Sequence, residues 1–109
     1  MAAEPADPVW EAFVVAMLAA GPAQERPSRY GGKPALRTDR REIAHLEAPG
    51  VIDLRITQAG WARLRAEFGQ DRAVRHDPGR RDWIELHLDS AADLPRLERL
   101  LVTAMNANR

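Results

Sequence analysis

Apolar and polar positions recur along this chain with two different periods, and the switches between them mark its elements. Trp10, Phe13, Val14, Met17 and Leu18 fall at helical spacing behind Asp7-Pro8, a cap followed by a first-position proline, and the stripe stops at Gly21-Pro22. Residues 23–33 are polar and carry Pro27 and Gly31-Gly32, so they read as an ordered connection. Ala35–Thr38 and Glu42–Leu46 read as strands joined by the turn Asp39-Arg40-Arg41. Beyond Ala48-Pro49-Gly50, Ile52, Leu54 and Ile56 alternate with Asp53, Arg55 and Thr57, the pattern of a strand with one buried face.

At Thr57 the period becomes helical. Trp61, Leu64 and Phe68 share a face, Thr57 supplies the cap, and Gly69 ends the helix at a position that favours a left-handed residue. Ala73–His76 and Trp83–Leu88 form a second hairpin around residues 77–81, with Ile84, Leu86 and Leu88 inward and Trp83, Glu85 and His87 outward. Ser90–Asp93 makes a leading turn, and Leu94, Leu97, Leu101, Ala104 and Met105 stripe a last helix over residues 93–107. Pro95 places the start of that helix near Asp93, because deeper inside it would remove a backbone hydrogen bond.

The expected fold is therefore α+β: a single antiparallel sheet of about five short strands with three helices, in the order α-β-β-β-α-β-β-α. One domain spans residues 1–109, with a polar leader at 1–6 and the sheet-forming region at 35–88. The helices cover one sheet face, which leaves the other for solvent, a ligand or a partner.

Composition changes this picture only by exclusion. With 45% hydrophobic and 29% charged residues the chain is an ordinary globular one. Its 16 Lys and Arg balance 16 Asp and Glu, so only local patches could attract nucleic acid or an acidic surface. The absence of cysteine removes disulfides and thiol chemistry and fits a reducing cytoplasm. Phe13–Ala20 resembles a secretory apolar core, but its flank carries Glu4, Asp7 and Glu11 and the run is too short for a bilayer, so no membrane partner is expected.

Four segments carry a family resemblance: Gly32-Lys33-Pro34-Ala35, Arg41-Glu42-Ile43-Ala44-His45-Leu46, Asp53-Leu54-Arg55-Ile56-Thr57 and Asp82-Trp83-Ile84-Glu85-Leu86-His87-Leu88. The pattern resembles the small bacterial proteins labelled "luciferase family" or luciferase domain, from about Gly31 to the last helix. The same element order, with a Trp-led last strand and a closing helix, is similar to the MmcQ/YjbR group, which is associated with a DNA-binding role. Neither resemblance supplies a catalytic motif to carry onto individual residues.

The chemistry-bearing residues are few. His45, Glu85 and His87 suggest metal ligation, since Glu-x-His on a strand puts both side chains on one face. Against it, Arg55 and Glu85 read as a cross-strand charge pair and no ligand set has a recognised spacing, so neither a metal nor a cofactor is expected. Ser90 and Thr57 are explained by capping, and Asp53 with Glu85 faces arginines that keep carboxylates ionised. No phosphate loop or nucleophile elbow is present.

Trp83 on an outward face needs a cover, which the first helix or residues 23–33 would supply, or else a ligand. The leading expectation is thus a non-catalytic module that binds a small molecule or protein through His45, Asp53, Arg55, Trp83, Glu85 and His87. The alternative is nucleic-acid binding through the arginine-tipped turns, Arg40-Arg41 and Arg80-Arg81. An enzyme would need His45, Glu85 and His87 to converge, and an exposed sheet edge leaves a homodimer open.

Overall fold

The structure, a computed structural model, describes residues 7–29 and 31–109; the polar leader lies outside them. Helix α1 (Pro8–Ala20) begins where the Asp7 carboxylate accepts from the amides of Val9 and Trp10, which satisfies two of the donors that a helix start leaves free. Its stripe buries Trp10, Phe13, Val14 and Met17, whereas Leu18, expected in the stripe, is 47% exposed.

Six strands follow among the described residues: β1 (Gln24–Pro27), β2 (Pro34–Arg37), β3 (Glu42–Ala48), β4 (Val51–Arg55), β5 (Val74–His76) and β6 (Trp83–His87). They form one antiparallel sheet in the order β1-β2-β3-β4-β6-β5. The expected count of about five misses β1. All four residues of that strand are exposed, so it has no buried alternation to betray it. It forms because its backbone completes the edge of β2, and because Trp10 Nε1 donates to Glu25 Oε2 at 2.8 Å.

Helix α2 (Gln58–Phe68) connects β4 to β5, and helix α3 (Glu98–Ala107) closes the chain. The last helix starts later than expected. Ser90 and Asp93 form a capping box, and two 3₁₀ turns, Ala91–Asp93 and Pro95–Leu97, hold Pro95 ahead of the regular helix. Gly69 also departs from expectation: it is right-handed (φ −63°), and a Cβ there would lie 2.5 Å from the Arg65 carbonyl.

The register turns the sheet into two unlike faces. Leu36, Ala44, Leu54 and Ile84 stand side by side across four strands, and Leu46, Ile52, Leu86 and Val74 form the adjacent row. These rows join Trp10, Phe13, Met17, Leu64, Phe68, Leu97, Leu100, Leu101 and Met105 in one core between sheet and helices. Each fully buried large aliphatic side chain contributes about 1.5–3 kcal/mol. The opposite face carries the row Ala35, His45, Asp53, Glu85 and Arg75. No helix among the described residues is long and apolar enough to cross a membrane.

Candidate functional site

The open face is built by alternation. In β3 and β4, every second residue must turn away from the helices, so His45 and Asp53 become direct neighbours, and Glu85 of β6 stands on the other side of Asp53. One pair step along, Arg55 stands opposite Trp83. Arg55 and Glu85 are therefore not the cross-strand pair expected. Arg55 instead bonds Asp82 at 3.2 Å and the side chain of Asn108, while its carbonyl accepts from Asn108 Nδ2.

His45 is the hub of one half of the face. Its Nδ1 lies 3.1 Å from Glu42 Oε2, and its Nε2 lies 2.9 Å from Asp53 Oδ2 and 3.1 Å from Glu47 Oε2. Arg80 folds back from its turn to place Nη2 3.1 Å from Asp53 Oδ2. Asp53 is only 2% exposed, and its Oδ1 is buried with no hydrogen-bond partner among the described residues. The hydrogen bond to Asp53, with the charges of Asp53 and Glu42, raises the His45 pKa against the opposing effect of burial. Burial alone would push the Asp53 carboxyl upward, but hydrogen bonds from His45 and Arg80 outweigh it and hold the pKa below its ordinary value.

His87 does not join this cluster. Its Nε2 bonds Glu85 Oε1 at 2.8 Å, so the two members of the Glu-x-His pattern satisfy each other. The trio of His45, Glu85 and His87 that a metal or catalytic reading would need does not converge: Glu85 borders the hollow of His45, but His87 does not line it. Trp83 is half-buried; of the two covers anticipated from the sequence, the first helix lines none of the hollows around it, while Arg26, Pro27 and Arg29 of residues 23–33 line the same cleft. The Arg80 guanidinium lies over its ring at 5.6 Å, and the His45 ring is tilted against it at the same distance. Every side chain lining the hollows around Trp83 comes from a strand or a turn, and none from a helix.

The other half of the face is cationic. A cleft of about 460 Å³ runs from β1 and β2 to Trp83, and Arg26, Arg29, Arg37, Arg40, Arg41 and Arg55 all line it. Glu42 is the one acid among its described lining residues. Arg29, Arg37 and Arg41 form no ion pair with any described residue, whereas Arg40 donates to the Arg109 carbonyl at 2.9 Å. The register puts both arginine-bearing turns at the same end of the sheet, since the start of β3 and the start of β6 lie beside the end of β4. The turns are unequal, however: Arg40 and Arg41 border the cleft, Arg80 is committed to Asp53, and Arg81 is exposed.

Of the residues expected on this face, the structure brings together His45, Asp53, Trp83 and Glu85, with Arg55 at the edge of the cleft. Sequence reasoning missed Glu42, Glu47, Arg26, Arg29 and Arg37. Alternation within β3 could have found Glu47, two residues beyond His45. The β1 arginine needed a strand that the sequence pattern does not reveal. In comparison with known proteins, the chain matches no family, no curated protein and no solved structure.

Proposed function

We propose that this protein is a small non-catalytic binding domain whose open sheet face takes a ligand bearing a multiply charged anion, with phosphate as the biological chemistry that fits best. The observation that carries the reading is the convergence of six arginines on one cleft that ends at Trp83. Guanidinium groups engage phosphate oxygens through paired N–H donors, and those of Arg29, Arg37 and Arg41 have no competing carboxylate among the described residues. Trp83 offers the body of such a ligand an apolar wall.

On this reading the domain works in the cytoplasm, where phosphorylated metabolites are abundant and a cysteine-free chain gives up nothing. The luciferase label that the strand motifs resemble then denotes a shared scaffold rather than light emission.

Calorimetric titration with inorganic pyrophosphate and with ADP tests the proposal. Saturable binding at low salt is expected, weakened about tenfold or more by the paired change Arg37→Ala/Arg41→Ala, since each lost charge-assisted contact is worth roughly 1.5–3 kcal/mol. Trp83→Phe should weaken ADP more than pyrophosphate. Absence of saturable binding of either probe at low salt sinks the idea.

Nucleic-acid binding is the second reading, and the placement of both arginine turns at one end of the sheet supports it. It predicts affinity for a single-stranded oligonucleotide that falls steeply with salt and drops in Arg40→Ala/Arg80→Ala. Affinity unaffected by salt removes it.

A further inference from the structure

We infer that the carboxylate half of the open face is a binding site for a divalent transition-metal ion such as Zn²⁺, held by His45 Nε2, Glu47 and Asp53. One ligand atom from each residue lies within 4.8 Å of the others. The donors come from a strand pair and not from a loop: His45 and Glu47 are two residues apart on β3, and Asp53 is the direct partner of His45 on β4. The backbone register therefore sets the His45–Asp53 spacing before any ion arrives, and Glu47 sits at the adjoining bulge in β3.

Three features beyond proximity point to a cation. The first is the orientation of the imidazole. Glu42 Oε2 holds Nδ1 at 3.1 Å, so a neutral ring that donates Nδ1–H to Glu42 turns the Nε2 lone pair toward the two carboxylates. A carboxylate behind a ligating histidine in this way fixes its tautomer and increases its basicity. The second is the number of electron-pair donors about one point. Nε2 has Asp53 Oδ2 at 2.9 Å and Glu47 Oε2 at 3.1 Å; a single N–H aims at one of them, whereas a dication attracts all three groups. The third is Asp53 itself. It is 2% exposed, and its Oδ1 has no hydrogen-bond partner among the described residues, an arrangement that normally costs about 1–3 kcal/mol. A second metal contact, or a water bound to the ion, would satisfy that oxygen.

The geometry needs little adjustment. Arms of about 2.0–2.1 Å in a tetrahedron put donor atoms about 3.4 Å apart, so the two separations from His45 Nε2 must open by only a few tenths of an ångström, while the two carboxylates lie within 4.8 Å of each other. Two cations compete, Arg80 with its Nη2 3.1 Å from Asp53 Oδ2 and Lys33 with its Nζ 3.7 Å from Glu47 Oε1; their side chains are 40% and 48% exposed and can withdraw to solvent. Glu42, Glu47, Asp53 and Glu85 all border this hollow, so it remains anionic with Arg80 in place. Imidazole with two carboxylates suits Zn²⁺ and its first-row neighbours, whereas Mg²⁺ and Ca²⁺ prefer oxygen alone. Three protein donors leave a fourth position open. None of the three donors lines the arginine cleft, which shares only Glu42 and Trp83 with this hollow, and the test contains no anionic ligand.

The experiment is a calorimetric titration of the full chain, stripped by chelator, with Zn²⁺ in a buffer free of phosphate. One saturable site per chain is expected, with little response to Mg²⁺. His45→Ala and Glu47→Gln should each weaken Zn²⁺ by about tenfold or more. Glu42→Gln, a change to a positioning residue, should weaken it by about tenfold while leaving the stoichiometry at one. Glu47 is exposed and makes no core contact, so Glu47→Gln keeps the fold and serves as the decisive variant if His45→Ala unfolds. Failure of the wild-type chain to bind Zn²⁺ saturably, or binding that Glu47→Gln leaves unchanged, overturns the assignment.

Discussion

At the residue scale, the pair His45–Asp53 couples the open face to pH. With metal removed, the raised His45 pKa means that its contribution to stability is complete below the ordinary value of 6.5 and fades as pH rises through the folded-state value above it. Asp53 runs the other way. Its lowered pKa contributes fully above the ordinary 3.8 and fades as pH falls through the lower folded-state value. The stability difference between the chelated wild type and His45→Gln/Asp53→Asn should therefore form a plateau between pH 3.8 and 6.5 and shrink on both sides. Denaturant unfolding across that range measures it, and a difference that is flat from acid to alkaline pH would falsify the coupling. In the same protein, the His45 ring resonances should titrate above 6.5.

At the scale of elements, two junctions decide how the face is presented. The first is Asn108, immediately after α3. It is 1% exposed; its amide donates to the carbonyls of Arg55 and Ala104, its side-chain oxygen accepts from Arg55, and its own carbonyl accepts from Thr38. One side chain thus ties α3 to the end of β4 and orients Arg55 toward the cleft. Asn108→Ala should lower stability by about 2 kcal/mol, since it strands a buried carbonyl and a guanidinium donor. It should also weaken pyrophosphate binding through Arg55.

The second junction is Thr57, where β4 gives way to α2. Its hydroxyl accepts from the Gly60 amide, but its backbone sits at φ 69°, ψ 157°, a region that β-branched residues avoid. Thr57→Ala removes the cap and keeps the strain, so a loss of about 1 kcal/mol is expected. Thr57→Gly loses the same cap but relieves the backbone, so it should be the more stable of the two in thermal unfolding.

At the scale of the whole molecule, the balance of 16 positive and 16 negative side chains hides a divided surface. Six arginines border one hollow of the open face and four carboxylates border the other, with Trp83 and Glu42 belonging to both. A ligand that binds only the folded chain must stabilise it, by about 2.7 kcal/mol at a hundred times its dissociation constant. Pyrophosphate should therefore raise the unfolding temperature at low salt, and added salt should abolish the rise. Zn²⁺ should give an increment that Arg37→Ala/Arg41→Ala leaves intact and Glu47→Gln reduces by about half or more. Stabilisation by both ligands that disappears together in either variant would contradict two separate sites.

The fold was largely legible in the sequence, because its strongest elements satisfy their periods locally. The alternation of Ile52, Leu54 and Ile56, and of Ile84, Leu86 and Leu88, identifies two strands and which of their sides is buried, since a one-residue slip would expose every aliphatic group. That same alternation assigned Asp53, Glu85 and Trp83 to the open face. What it could not supply was anything that depends on a neighbour distant in sequence. The strand Gln24–Pro27 exists because an edge of β2 was available to pair, not because its residues prefer a strand. Asp53 gains Arg80 as a second partner beside its strand neighbour His45 because the turn before β6 folds back onto a buried charge.

Arg55 is opposite Trp83, and His45 opposite Asp53, by register alone, and register follows from turn geometry and from the bulges in β3 that shift its pairing. From the sequence by itself came the fold class, the existence of most elements and the face on which to look. The tertiary structure decided which charges meet there, because the apolar pattern constrains only the buried side of the sheet and leaves the pairing of polar groups on the other side to strand order and turn conformation.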